Sequence, residues 1–173
     1  KFNEALVESG VKSAGYKDDK KLWVPYHELF CVPTTSDFKS STMKLPILGK
    51  DYEEITVEDE TLKGCVYYLI SGHGGPDPGA MTKKDGNFLC EDEYAYDVTL
   101  RLARNLLSHG AKVYVIVRDE NDGIRDQEYL GYDKDEVVWF KQKIPANQVR
   151  RLKQRTTVVN ELYEKEKATA KLQ

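Results

Sequence analysis

The segment GCVYYLISGHGGPDPGA, residues 64–80, carries the clearest structural pattern in this sequence. Its first part, GCVYYLIS at 64–71, is a continuous apolar run rich in β-forming residues, which predicts a strand buried on both faces. Cys65 lies in this run and is predicted to be a small core residue. Its second part, GHGGPDPGA at 72–80, is rich in glycine and proline, which predicts a tight loop directly after the strand.

A helix and a second strand follow this loop. The helix is predicted from Glu91 to His109, because acidic residues open it and Gly110 closes it. KVYVIV at 112–117 is a second apolar run and predicts another buried strand. Strand, helix and strand in this order predict an α/β fold with a mixed or parallel sheet flanked by helices. The apolar stripe of the helix is predicted to contain Tyr94, Val98, Leu102, Ala103, Leu106 and Leu107, with Asp97, Arg101, Arg104 and Ser108 on the opposite face.

The flanking parts of the chain have weaker patterns. Residues 1–62 are predicted to be a separate N-terminal region, a wall-binding segment or a linker, with a loop at 32–46 and an edge strand within 51–60. Residues 63–173 form the main predicted domain. The polar segment 119–146 is long enough to be functional or partly disordered. A last helix is predicted over about 147–167, with an inner face of Val149, Leu152, Val159, Leu162 and Tyr163.

Composition excludes some classes of protein. The formal net charge is -3, from 26 basic and 29 acidic residues, which gives no support for nucleic-acid binding. No apolar run is long enough to cross a bilayer, and the first ten residues lack signal-peptide character, so an export signal is not expected within this chain. The three cysteines are widely spaced, which argues against a disulfide framework and against a cysteine zinc knuckle.

His73 and Glu91 are the candidate metal ligands. His73 follows the first strand by two residues and Glu91 opens the helix, so both are expected at the carboxyl end of the sheet, where α/β proteins place their sites. An imidazole and a carboxylate that converge there suit zinc. The alternatives are a surface histidine in a tight turn and a first-turn acid favoured by the helix dipole. Spacing alone does not choose Glu91 over Asp92 or Glu93.

Three segments together resemble a known family. The segments are, in chain order, GHGGPDPGA, a glutamate before DVTLRLARNLL, and HGAKVYVIVRD. They are similar to the zinc-dependent N-acetylmuramoyl-L-alanine amidases, and RTTVVN at 155–160 resembles a further motif of that family. CEDEYAYD and the acidic insertion resemble amidases of the Bacteroidetes type. The resemblance implies the zinc amidase fold, with His73 as first and Glu91 as second zinc ligand. It also implies hydrolysis of the amide between muramic acid and L-alanine in bacterial peptidoglycan, in the periplasm or cell envelope.

The resemblance also implies groups that this chain is not expected to contain. The family uses a second histidine and a general-base glutamate, both expected beyond Gln173, so the chain alone is expected to be inactive. His109 is predicted about 27 Å from Glu91, at the other end of the same helix. His27, in the N-terminal region, is a weak candidate to replace the missing histidine ligand.

Other functions remain open at this stage. The main alternative function is that of a non-catalytic peptidoglycan-binding or interaction domain with a vestigial metal site. A calcium loop in the acidic segment is disfavoured, because Gly123 falls at the wrong position for an EF-hand. A nucleotide-phosphate loop is disfavoured, because the helix begins well after the glycines.

The acidic segment contains four aromatic residues, Tyr129, Tyr132, Trp139 and Phe140. They either line a glycan groove or, as favoured here, pin the segment to the core. Arg118 and Arg155 are predicted to be structural.

Overall fold

The computed structural model describes residues 39–170, so predictions on residues 1–38, which include His27 and Cys31, lie outside the described residues. The secondary structure elements are β1 (Ser41–Lys44), a 3-10 helix (Pro46–Leu48), β2 (Glu54–Val57), β3 (Val66–Leu69), β4 (Met81–Lys84), β5 (Asn87–Cys90), α1 (Glu91–Ser108), β6 (Lys112–Val115), β7 (Val117–Arg118), β8 (Val137–Val138), β9 (Gln142–Lys143) and α2 (Gln148–Ala170).

Two parallel strands joined by a helix confirm the predicted α/β class. β3 pairs in parallel with β6, with Val66 opposite Lys112 and Leu69 opposite Val115, and α1 connects the two strands. The remaining strands form small antiparallel sheets, β1 with β2, β4 with β5, and β7 with β8 and β9. A mixed set of small sheets with helices is consistent with α/β architecture, and it is not specific to the zinc amidase fold.

The first predicted strand is shorter and less buried than expected. All four residues of β3 are only half-buried, because among residues 39–170 β3 pairs with β6 alone. The prediction of a strand buried on both faces is therefore wrong. Cys65 is exposed rather than part of the core, because it precedes β3 and belongs to the turn that begins at Leu62. The second apolar run is interrupted at Ile116, which separates β6 from β7.

The predicted loop at 32–46 contains a strand. All four side chains of β1 are exposed while its backbone pairs with β2, so the strand has no buried apolar pattern that the sequence could reveal. In β2, Ile55 and Val57 are buried between exposed residues, as the alternation at 51–60 predicted. Ile55 belongs to the same core as Leu100 of α1. The division of the chain at residue 62 stays a prediction.

The buried face of α1 differs from the predicted stripe. Val98 and Leu102 are exposed, whereas Asp97 and Ser108, predicted on the outer face, are buried. The Asp97 carboxylate is satisfied by hydrogen bonds from the Arg101 side chain at 2.7 Å and from the Arg125 backbone at 2.8 Å. The helix therefore buries a mixed face whose apolar members are Tyr96, Leu100, Ala103, Leu106 and Leu107.

The segment 119–146 and helix α2 pack together beside β6. Val138, Ile144, Val158 and Leu162 share one core with Ile116 and Val117. The Trp139 ring lies edge-on to Tyr114 at 5.5 Å, so Trp139 pins the segment as predicted, whereas Phe140 is 69% exposed. The predicted inner face of α2 is partly wrong, since Val149, Leu152 and Tyr163 are exposed. Arg151 and Arg155 are buried in their place.

Among residues 39–170, no helix is long and apolar enough to cross a membrane.

Candidate metal centre

The loop after β3 holds His73 in an unusual backbone conformation. His73 has a φ of 57°, in the left-handed region that L residues seldom adopt. The loop is fixed by two hydrogen bonds between Gly74 and Asp77, at 2.8 Å and 3.3 Å. A non-glycine residue at positive φ costs free energy, so the surrounding contacts must hold it there.

The structure brings His73 and Glu91 together. The Nε2 atom of His73 lies 3.4 Å from the Oε1 atom of Glu91, and the two side chains are 34% and 49% exposed. The other oxygen of Glu91, Oε2, accepts a hydrogen bond of 2.9 Å from the backbone of Ala80. Both side chains therefore have one free ligand atom and an orientation set by neighbouring groups.

Gly79 leaves the space in which these two side chains meet. A Cβ atom at this position would lie 2.8 Å from the Cδ2 atom of His73 and from the Cβ and Oε2 atoms of Glu91. Gly79 also has a φ of 69°. Any side chain here would be strained and would push the two candidate ligands apart.

Asp77 orients the imidazole of His73 from the opposite side. The Asp77 Oδ2 atom lies 3.1 Å from Nδ1 of His73, and the same carboxylate is paired with Arg151. Burial acts to raise the pKa of Asp77, but hydrogen bonds from His73 and Gly79 and the nearby Arg151 charge lower it below its usual value. A carboxylate on Nδ1 favours the tautomer whose Nε2 lone pair is free for a metal.

Two buried arginines of α2 hold the loop in place. The Arg155 guanidinium, 6% exposed, donates to the carbonyl of Ser71 at 3.1 Å and to that of His73. Arg151 donates to the carbonyl of Ala146 at 2.6 Å as well as to Asp77. Burial lowers the pKa of Arg155 from its usual value. Arg155 therefore has the structural role that the sequence predicts, and α2 is tied to the backbone of the candidate ligand.

The separation of the two candidate ligand atoms fits one tetrahedral zinc ion. Zinc binds histidine nitrogen and carboxylate oxygen at about 2.0–2.2 Å, so two ligands of a tetrahedral ion lie about 3.3 Å apart. The observed distance between Nε2 of His73 and Oε1 of Glu91 is 3.4 Å. Zinc at this pair stays a prediction.

The other histidine of the described residues is elsewhere. His109 caps the far end of α1, where its Nδ1 atom lies 2.8 Å from Asp59, so it is not near Glu91. Among residues 39–170, no third histidine, cysteine, aspartate or glutamate places a ligand atom within 4.8 Å of both His73 and Glu91.

Asp77 and Arg151 are site residues to which the sequence-based prediction gives no role. Asp77 was part of the quoted glycine-rich motif, and its position four residues after His73 was the available signal. Arg151 has no signal in the sequence, because its partner Asp77 is 74 residues away in the chain. Asp92 and Glu93, the alternatives to Glu91, are buried, and Glu93 is paired with Arg125 at 3.0 Å.

Comparison with known proteins gives one relative. The chain is 30% identical over 83 residues to the germination-specific N-acetylmuramoyl-L-alanine amidase of Bacillus subtilis (strain 168). The match covers 48% of this chain and 33% of the relative, so the chain spans about a third of that protein. No protein-family model and no solved structure matches the chain. The match supports an amidase-like relationship.

Proposed function

We propose that this protein is a zinc-dependent hydrolase of the amide bond between N-acetylmuramic acid and L-alanine in peptidoglycan. The observation that carries the proposal is the 3.4 Å separation of Nε2 of His73 and Oε1 of Glu91, in a partly exposed pair at the carboxyl end of β3. The similarity to a muramoyl amidase supports the choice of substrate.

Neighbouring residues orient the two proposed zinc ligands. Asp77 holds the imidazole of His73 through Nδ1, and the Ala80 backbone holds Glu91 through Oε2. Ligand groups that are fixed before the metal arrives lose less entropy on binding, so these contacts increase zinc affinity. Arg155 contributes by fixing the carbonyl of His73.

A zinc ion held by His73 and Glu91 would supply Lewis-acid polarisation of the attacking water and of the scissile carbonyl. Catalytic zinc sites have three protein ligands, and His73 and Glu91 provide two of them. Among residues 39–170 no third ligand joins this pair. The family resemblance implies that a histidine and a general-base glutamate from outside these residues would complete the site. A peptidoglycan substrate supports a location in the periplasm or cell envelope.

The test is hydrolysis of a purified muropeptide by the whole zinc-loaded protein. Mass spectrometry should detect a released stem peptide that begins with L-alanine, and metal analysis should detect one bound zinc. His73→Ala and Glu91→Gln should abolish both signals. His109→Ala is the matched control, because His109 has the same kind of Asp partner at the other end of α1, and it should retain both.

A non-catalytic peptidoglycan-binding domain with a vestigial site is the second candidate. The observation that favours it is the shortage of ligands, two instead of three among the described residues. Binding of the whole protein to peptidoglycan without zinc uptake or cleavage would establish this function and contradict the amidase.

A further inference from the structure

Three buried carboxylates form a cluster beside the candidate metal centre. Asp92, Glu93 and Glu136 are 1%, 2% and 6% exposed, and each offers a ligand atom within 4.8 Å of the other two. Asp92 and Glu93 lie in the first turn of α1, and Glu136 immediately precedes β8. Neither His73 nor Glu91 belongs to the cluster, so it is separate from the candidate zinc pair.

Neighbouring groups satisfy the three carboxylates of the cluster to different extents. Glu93 is satisfied, because it accepts from Arg125 at 3.0 Å and from the Asp133 backbone at 3.0 Å. Glu136 accepts one hydrogen bond of 2.7 Å from the Gly75 backbone. Arg125 is therefore the only cation paired directly with these three carboxylates among residues 39–170.

Asp92 is the least satisfied member. Its Oδ1 atom accepts a hydrogen bond of 3.0 Å from the Glu93 backbone, but its Oδ2 atom is fully buried and has no hydrogen-bond partner among the described residues. A buried carboxylate oxygen without a partner is costly, and such an oxygen in a folded protein indicates a missing proton donor, water or ion.

We propose that Asp92, Glu93 and Glu136 bind a hard divalent cation, calcium or magnesium, at a second site that is distinct from the zinc pair. All ligand groups are carboxylate oxygens, which calcium and magnesium prefer, and the cluster has no nitrogen or sulfur donor that would favour zinc. The cation gives Asp92 Oδ2 the partner that it lacks among the described residues.

The position of the cluster indicates a structural role for the cation. Glu136 contacts the glycine-rich loop through Gly75, and Asp92 follows Glu91 directly in α1. An ion between them therefore connects the loop that holds His73 with the helix that holds Glu91. Its binding stabilises the folded protein whether or not zinc is bound.

Thermal unfolding of the chelator-treated whole protein, with calcium chloride or magnesium chloride added separately, tests this proposal. At a cation concentration about 100 times the dissociation constant, the unfolding midpoint should rise by about 5 to 10 °C. Comparison of the two salts identifies the cation. His73→Ala should retain the full shift, because His73 is not a ligand of this site.

Glu136→Gln and Asp92→Asn should remove the shift. Glu136→Gln also removes a buried charge, so we expect this variant to fold and to be at least as stable as the parent in chelator. The matched control is Asp135→Asn, in a second acidic cluster with Asp119 and Asp133, which should retain the shift. No shift in the parent with either salt, or an equal shift in Glu136→Gln, would overturn the proposal and indicate a buried water or a shared proton instead.

Discussion

At the scale of single residues, the candidate site depends on a few contacts around one glycine. His73 and Glu91 come from different elements, a loop and a helix start, and they converge at Gly79 because that position has no side chain. The remaining groups hold these two ligands in place. Asp77 binds the imidazole and the Ala80 backbone binds the carboxylate. Each of these contacts gives a test that is independent of catalytic activity.

Gly79→Ala should lower zinc affinity at least tenfold. The added Cβ atom would lie 2.8 Å from atoms of both candidate ligands, so one of the ligands must move. Gly86→Ala is the matched control, because Gly86 also has a positive φ, 86°, but no atom lies within 4 Å of its added Cβ. Gly86→Ala should cost about 1 kcal/mol of stability and leave zinc affinity within about twofold. Isothermal titration calorimetry measures the zinc affinity of both variants. Equal affinities for Gly79→Ala and Gly86→Ala would contradict this explanation.

Asp77→Asn should weaken zinc binding by about 10- to 100-fold, the usual effect of losing a carboxylate that orients a histidine ligand. Asp59→Asn is the control, since Asp59 contacts His109 in the same way, at 2.8 Å, far from the site. Competition with a chromogenic zinc chelator measures the affinity. Equal affinities for the two variants would show that Asp77 does not position a ligand.

The pairing of His73 with Glu91 could be anticipated from the sequence, but the residues around it could not. The strand, loop and helix order placed both side chains at one end of the sheet, and the family resemblance selected Glu91 among three acidic residues. Arg151 was not anticipated, because its partner Asp77 is 74 residues away and no local pattern links them. Glu136 is likewise 61 residues from Gly75.

At the scale of secondary structure elements, helix α2 supports the site with charged rather than apolar side chains. Val149 and Leu152 are 73% and 56% exposed, whereas Arg151 and Arg155 are buried against the loop. Hydrophobic periodicity assumes that apolar residues face the core, and it failed here because guanidinium groups satisfy buried carbonyls. The same assumption failed in α1, where Asp97 can be buried because its carboxylate accepts hydrogen bonds from Arg101 and Arg125.

Arg155→Met should destabilise the fold by about 2 to 4 kcal/mol, because it leaves the buried carbonyls of Ser71 and His73 without donors. Arg150→Met is the matched control on the exposed side of α2 and should change stability by less than about 0.5 kcal/mol. Urea unfolding monitored by tryptophan fluorescence measures both. If Arg155→Met unfolded at the same urea concentration as Arg150→Met, α2 would not be anchored through this guanidinium.

At the scale of the whole molecule, the described residues combine two cores with several buried carboxylates. One core surrounds Leu100 of α1, and the other surrounds Ile116 and α2. The predicted α/β class follows from the order of elements, so the sequence was sufficient for it. The exposure of β3 could not be predicted, because an apolar run does not reveal how many strands pair beside it.

Asp119 should make stability depend on pH. Burial raises the pKa of Asp119 to about 6, backbone hydrogen bonds from Asp122 and Asn121 oppose this, and the Asp135 and Asp122 charges add to it. Between about pH 4 and pH 6 the folded protein then holds a proton that the unfolded chain has lost. The free energy of unfolding contributed by this group is therefore present at low pH and decreases by about 2 to 3 kcal/mol as pH rises through that window.

Asp119→Asn removes this titration while keeping an acceptor for the two backbone N–H groups. The difference in unfolding free energy, variant minus parent, should therefore increase by about 2 to 3 kcal/mol from pH 4 to pH 6. Using the difference cancels the contributions of carboxylates that do not interact with Asp119, whereas its neighbours Asp122 and Asp135 contribute to the measured change. Urea unfolding at several pH values in the presence of a chelator measures it, and a difference that does not vary with pH would contradict the raised pKa.

A crystal structure of the zinc-soaked protein, with diffraction recorded on both sides of the zinc absorption edge, tests directly whether His73 and Glu91 bind zinc together. We expect one strong anomalous peak between His73 and Glu91, about 2.0–2.2 Å from Nε2 and from the nearer carboxylate oxygen. A structure whose zinc lies only at another position, such as the pair of His109 and Asp59, would contradict the proposed site.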